Sequence, residues 1–469
     1  MKRRQRTLAP FVAAAAGLLV GVGFAMRAPE SLATWPLTAL DRHAPAIGRG
    51  DVAVRCGRLI DGVGDEVRTD QLVVIRHGLI VAVEPFHSPP VDLPLVDWTG
   101  FTVLPGLIDM HTHLTDSPED TKDLRVYFTR TREQALASGS EHARATLAAG
   151  FTTVRDVGTY IAWADRDLRD AIRAGTISGP RMQIVGFYLT IPGGGGDLII
   201  PGVAESSIPE RVRMGVARGP AAFAVRAEQA VAGGADLLKV IASGAVLAYG
   251  GVPGAPEMTA DEIAAVAQVA HRHGLRLAAH AHGAQSVKDA ILAGADTIEH
   301  ASLIDDQGIA LAKAHGVALS MDVYNGDYID TEGRQQGWPE EFLRKNVETT
   351  EAQRQAFTKA HRAGVAIVYG TDAAVYPHGL NARQFRYMVE YGMTPMEAIR
   401  AATSIAARYL GWEGQVGIVQ SGAYGDLVAV AGDPLAEVTR METVAGVIQG
   451  GRLVSGDPTQ SSNSASTGK

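Results

Sequence analysis

The chain has almost no cysteine: Cys56 is the only one among 469 residues. A single thiol excludes an intramolecular disulfide, a multi-cysteine zinc site and an iron–sulfur centre. Basic charge is also in short supply. The formal net charge is −8. No basic stripe follows Lys2, Arg3, Arg4 and Arg6, which argues against a nucleic-acid partner. Long apolar runs are scarce too. The exception is the charge-free stretch 8–25 behind that basic start. It fits the hydrophobic region of an export signal, and its 18 residues also approach the length of a membrane span. The expectation is an exported protein, periplasmic or extracytoplasmic. Residues 1–33 are then either cleaved as a signal peptide or kept as a membrane anchor through residues 8–25.

Glycine is plentiful, with 53 residues beside 22 prolines. This composition implies many tight turns and not a helical bundle. Residues 34–50 read as a linker. Residues 51–60 and 71–83 read as strands of a small sheet, with Asp61-Gly62 and His77-Gly78 as turns. From residue 101 the pattern changes to alternating strand and helix. Strands are expected at 101–110, 151–155, 182–185, 236–241, 275–279, 297–299, 317–321 and 365–369. Ala-Gly or His-Gly pairs close helices at Gly150, Gly175, Gly274, Gly294, Gly316 and Gly364, because glycine tolerates the left-handed turn that stops a helix. Eight strands in this alternation favour a closed (β/α)8 barrel over an open sheet. Strand patterns return at 426–431, 444–448 and 452–454. The expected fold is α/β, with a (β/α)8 TIM barrel at 101–412 inserted in a small discontinuous β-sandwich domain made of 51–100 and 413–455. The Ser/Thr-rich segment 456–469 reads as a disordered tail. The run Gly193-Gly194-Gly195-Gly196-Asp197 reads as a loop over the barrel mouth. It lacks the Lys-Ser/Thr ending of a nucleotide loop.

Chemistry collects at the strand ends. His111 and His113 are two residues apart, so an extended strand presents both on one face. Later strands end in Lys239, His280, His300 and Asp372. In a barrel, the C-terminal strand ends form the active-site face. Singly, each residue has a bland explanation. Lys239 can extend from a strand edge, Asp372 can cap a helix, and His280 and His300 can be satisfied core histidines. Six potential ligands at matching positions point instead to a metal centre.

The stretches Leu104-Pro105-Gly106-Leu107-Ile108-Asp109-Met110-His111-Thr112-His113, Gly150-Phe151-Thr152-Thr153-Val154-Arg155-Asp156, His280-Ala281-His282-Gly283, Ile298-Glu299-His300 and Gly370-Thr371-Asp372, together with Lys239, resemble the amidohydrolase superfamily. The likeness is to its metal-dependent branch, related to imidazolonepropionase and to Xaa-Pro and Xaa-Arg/Lys dipeptidases, and also to ochratoxin-type amidohydrolases. It covers nearly everything from residue 50 to 455. The resemblance implies two divalent metal ions, with zinc the first choice. It implies that His111, His113 and Asp372 hold one ion, His280 and His300 hold the other, and a carboxylated Lys239 bridges them. It further implies cleavage of the amide bond of a dipeptide or N-acyl amino acid by metal-activated hydroxide, with Asp372 moving the proton. No covalent intermediate is needed, so Cys56 has no catalytic part. A homo-oligomer is compatible with this family.

Substrate contacts are expected from His282, two residues beyond His280, and from Tyr188 and Tyr249, which follow strand ends. His142, on a helix, reads either as a solvated residue or as a further substrate contact. Arg155 and Asp156 are expected to pair and brace the barrel rim. Gly195 stands where dipeptidase relatives carry a histidine in Gly-Gly-His-Gly-Asp, which is expected to leave room for a bulkier substrate such as an N-acyl or aryl amide. Three readings compete with amide hydrolysis. One is a cyclic amide (imidazolone-like) hydrolase. Another is a ring deaminase, a class that usually uses one metal and lacks the bridging lysine. The third is a non-catalytic metal-binding barrel.

Overall fold

The β-branched runs near the two ends of the chain meet in one sheet, as residues suited to a pleated, half-buried surface do. The computed structural model describes residues 50–456. β1 (Val52–Ile60) pairs antiparallel with β2 (Val67–Arg76) and parallel with β4 (Leu95–Pro105), while β3 (Leu79–Pro85) pairs antiparallel with β2. Cys56, Leu59 and Trp98 are fully buried in this sheet's apolar core.

The chain then enters the barrel. Its strands are β5 (Leu107–Thr112), β6 (Phe151–Asp156), β7 (Arg181–Gln183), β8 (Leu238–Ile241), β9 (Leu277–Gly283), β10 (Thr297–Leu303), β11 (Ala318–Ser320) and β12 (Ile367–Val368). They form two parallel arcs, β5-β6-β7 and β8-β9-β10-β11-β12. Main-chain hydrogen bonds join the arcs on both sides. Asp236 N donates to Ile184 O at 2.8 Å and Leu189 N to Lys239 O at 3.0 Å; Met110 N donates to Tyr369 O at 2.8 Å and His113 N to Ala373 O at 3.0 Å. The eight expected strands are thus present and their ring is closed.

The first barrel strand is shorter than expected. Residues 101–105 belong to β4, and Gly106 separates sheet from barrel. A Cβ at Gly106 would lie 2.1 Å from Thr152 Oγ1, so only glycine lets the chain pass there. The six helix-closing glycines all take positive φ, between 66° and 103°. Three α-helix starts carry reciprocal capping boxes, Thr131 with Gln134, Thr259 with Glu262 and Thr394 with Glu397.

After the barrel, β13 (Leu427–Ala431), β14 (Val444–Gln449) and β15 (Arg452–Ser455) rejoin the first sheet, giving the order β15-β14-β13-β4-β1-β2-β3. The chain leaves the sheet from β4 and returns to its neighbour β13. A buried ion pair between Arg181 on β7 and Asp426, just before β13, ties barrel to sheet.

Among the described residues, no helix is long and apolar enough to cross a membrane. The longest, Glu340–Ala363, carries charged residues along its whole length. For the described residues this finding corrects the expectation of membrane anchoring, while the export expectation rests on residues 8–25. Residues 8–25 themselves lie outside the described residues, as do the rest of 1–49 and the tail 457–469.

Candidate metal centre

The strand ends converge as barrel geometry requires. His111 is the penultimate residue of β5, with His113 just beyond the strand. Lys239 lies on β8, His280 and His282 on β9, His300 on β10, and Asp372 follows β12. All seven line one cavity of about 170 Å³. Ring centroids are 4.9 Å apart for His111–His300, 4.5 Å for His280–His300 and 4.7 Å for His282–His300. Two triads offer one donor atom each with all atoms within 4.8 Å of one another: His280, His282 and His300, and His111, His300 and Asp372. Two donor triads meeting at His300 form a binuclear-type cluster, and the imidazole and carboxylate donors suit a divalent transition metal.

Each ring is turned by a partner on its far nitrogen. His111 Nδ1 lies 2.9 Å from Glu299 Oε2, and His300 Nδ1 lies 2.9 Å from Asp322 Oδ1. His113 Nδ1 meets Gly158 O at 2.6 Å, and His282 Nδ1 meets Ser302 Oγ at 2.8 Å. The Nε2 atoms of His111 and His113 then point at Asp372 Oδ1, at 3.3 Å and 3.0 Å. His280 is turned the other way, with Nε2 at 3.4 Å from Gly244 O.

Charge follows burial. Burial works to raise the Asp372 carboxyl, but His111 and His113 outweigh it and hold it well below the usual range. Burial lowers His282 to about 3, aided by His300, and also drives His280 far down. Both rings are therefore neutral and able to donate lone pairs. Burial lowers Lys239 to about 8, against the opposing pull of Glu299. Asp109, beneath the site, is raised to about 6 by burial; it accepts from Thr371 Oγ1 at 2.5 Å and Asn381 Nδ2 at 2.8 Å. The backbone is strained where the ligand candidates turn inward. His300, Ala301 and Asp372 take φ of 69°, 48° and 55°.

Several expectations need correction. Tyr188 lines the cavity, 6.0 Å from the His113 ring, but Tyr249 and His142 do not line it. Tyr249 packs on Phe342 with centroids 4.8 Å apart. His142 stacks on His378 at 4.3 Å, and its Nδ1 lies 2.9 Å from Leu114 O. Arg155 does not pair with Asp156. It crosses the barrel interior to Glu299 Oε1 at 2.7 Å, Thr297 Oγ1 at 2.9 Å and Met110 O at 2.6 Å. Gly195 lines the cavity, and a Cβ there would lie 2.9 Å from both Ala245 Cβ and Ala245 N, so the loop as placed does not accept a side chain at this position. Sequence reasoning missed Glu299, Ser302, Asp322 and Asn325. Glu299 alone left a signal, in its place beside His300.

A profile of the amidohydrolase family matches residues 102–454. Ochratoxinase from Aspergillus niger is 29% identical over 424 residues, spanning 86% of this chain and 86% of its own. The crystal structure of a Xaa-Pro dipeptidase with methionine in its active site matches with a TM-score of 0.80 at 33% identity, over 86% of this chain and 99% of that one. The crystal structure of A. niger ochratoxinase matches with a TM-score of 0.76 at 26% identity, over 87% of this chain and 96% of that one. The binuclear-type cluster accordingly stands in a metal-dependent hydrolase acting on C–N bonds, and the chain belongs to the amidohydrolase family.

Proposed function

We propose that the protein hydrolyses the amide bond of a dipeptide or N-acyl amino acid, using two zinc ions and a carboxylated Lys239. The observation that carries this reading is the convergence of His111, His113, Lys239, His280, His300 and Asp372 on one cavity at the C-terminal ends of the barrel strands. The likeness to a Xaa-Pro dipeptidase supports the substrate class.

Bound divalent cations supply Lewis acidity, polarising a carbonyl and making water a stronger acid. The remaining chemistry belongs to the chain. Lys239 is 2% exposed, and as an ammonium it offers no lone pair to a cation. Carboxylation turns it into an anionic oxygen donor and removes a costly buried cation. Asp372 is set to take a proton from attacking water and deliver it to the leaving nitrogen. Asn325 Nδ2, 3.3 Å from Asp372 Oδ2, steadies the carboxylate for both transfers. His282, its Nδ1 2.8 Å from Ser302 Oγ, lines the cavity beside His280 and His300 and would contact the substrate.

The test is metal analysis and turnover of dipeptides and N-acyl amino acids on one purified sample. Two ions per chain with amide turnover is the expected result. Fewer than one ion, after growth with added zinc and bicarbonate, overturns the reading.

A further inference from the structure

Two carboxyl groups in the segment after β5 line or flank the cavity, and of the two only Asp120 stands in an ion pair. Asp120 is clasped by Arg130, whose Nη1 and Nη2 each lie 2.5 Å from one of its oxygens. Asp120 also accepts from Ser117 N at 3.0 Å. Asp116 has no such partner. Its Oδ1 accepts from Thr159 Oγ1 at 3.3 Å, and among the described residues no lysine or arginine forms an ion pair with it. Yet it is 6% exposed, and it lines the cavity.

The surroundings of Asp116 are aromatic. Tyr127, Tyr160 and Tyr188 line the same cavity, with centroids 4.9 Å apart for the first two and 5.3 Å for the last two. The Asp116 charge is felt at all three phenols. No arginine lines the cavity, and its one lysine is Lys239. Burial raises the Asp116 carboxyl to about 7, with His113 the largest opposing influence, so its charged form is costly there and a cation beside it would lower that cost. Phenol faces also attract cations and repel anions.

We infer that Asp116, walled by Tyr127, Tyr160 and Tyr188, forms a subsite for a protonated nitrogen of the substrate. The nitrogen is either the α-ammonium of an N-terminal residue or the cationic end of a basic side chain. The inference rests on the amide-hydrolase reading and sharpens it. If the α-ammonium is the occupant, dipeptides are preferred over N-acyl amino acids.

Two pairs of compounds separate these sources with the zinc-loaded enzyme. Glycyl-phenylalanine and N-acetyl-phenylalanine share the scissile amide and leaving group and differ by the ammonium. N-acetyl-lysine, acylated at its α-nitrogen, and N-acetyl-norleucine differ by the side-chain cation. The expected result is a kcat/KM ratio of about tenfold or more in favour of the cationic member of one pair, as a charge-assisted hydrogen bond gives. Asp116→Asn keeps the shape and the Thr159 contact. It should bring that ratio within about twofold while leaving the uncharged member unchanged. Equal turnover within both pairs by the unsubstituted enzyme overturns the subsite without any variant. An equal loss for both members in Asp116→Asn also overturns it, marking a structural role. If no amide is turned over, the amide-hydrolase reading fails separately, and the same compounds serve as inert ligands in calorimetry. Tighter binding of a cationic member that Asp116→Asn abolishes then supports the subsite, and equal binding refutes it.

Discussion

Glu299 Oε2 lies 2.9 Å from His111 Nδ1, while Oε1 of the same carboxylate accepts from Arg155 Nη2 at 2.7 Å. One fully buried acid therefore orients a metal-facing imidazole and neutralises a cation in the barrel interior. Burial works against its charge, but Arg155 and His111 keep it ionised, well below the usual glutamate range.

Glu299→Gln should weaken both roles. The amide cannot match the charge of the acid on either side. Metal affinity is expected to fall about 10- to 100-fold, the usual effect of losing such a supporting carboxylate. Stability should fall as well, by up to about 3–5 kcal/mol, because Arg155 is left as a buried cation without its partner. Chelator competition and thermal unfolding of the metal-free protein read the two effects separately. An unchanged metal affinity would remove Glu299 from the site's working parts.

Lys239→Arg tests the bridge. The guanidinium keeps the positive charge but cannot be carboxylated. Metal content is expected to drop from two ions per chain to one or fewer, with loss of turnover. A carbamate carbon signal should appear in the unsubstituted protein grown with 13C-bicarbonate and be absent from the variant. Full metal loading of Lys239→Arg would show that the lysine is not a ligand.

The strand ends were legible because strand geometry carries a simple rule. His111 and His113 obey the two-residue period, and His280 lies at the end of a run of small apolar residues. The eight strands were legible for the same reason, since helix-closing glycines punctuate them. Glu299 and His300 break the rule. Adjacent residues in a strand should face opposite ways, yet both reach the metal cluster, because His300 and Ala301 take φ of 69° and 48°. No local pattern announces that turn. Arg155 was misread as a partner of its neighbour Asp156 because its real partner Glu299 is 144 residues away. The first turns of the long helix Glu340–Ala363 place Asn346 and Thr349 in the cavity wall, which no spacing in the sequence announces.

That helix also carries a buried lysine with a positioning part. Lys345 is 1% exposed; its Nζ donates to Ala248 O at 2.7 Å and Gly250 O at 2.5 Å, and pairs with Glu341 Oε1 at 2.8 Å. The segment it holds supplies Ala245, Val246 and Leu247 to the cavity wall. Lys345→Met keeps most of the volume and removes the three polar contacts. KM is expected to rise about tenfold with kcat within about twofold, since Ala245, Val246 and Leu247 wall the cavity without belonging to the donor cluster. A fall in kcat at unchanged KM would contradict this assignment.

Cys56 gives a prediction about the sheet that packs beside the barrel. The thiol is fully buried, and its Sγ donates to Val54 O at 3.8 Å. Burial pushes its pKa far above the ordinary thiol value, with Arg68 a smaller opposing influence. In the unfolded chain the thiol ionises near pH 8.5 or so. Between that pH and the raised folded value, the folded chain binds one more proton than the unfolded chain. Stability contributed by the neutral thiol is therefore fully present below about pH 8.5 and declines as pH rises, by at most about 1.4 kcal/mol per pH unit. Denaturant midpoints between pH 8 and 10 should fall with a steeper slope for the unsubstituted protein than for Cys56→Ala, whatever their absolute difference. A thiol reagent should modify Cys56 only once denaturant has opened the sheet. Rapid labelling of the native protein at neutral pH would mean that this sheet opens locally, and equal alkaline slopes would mean that the thiol titrates alike in both states.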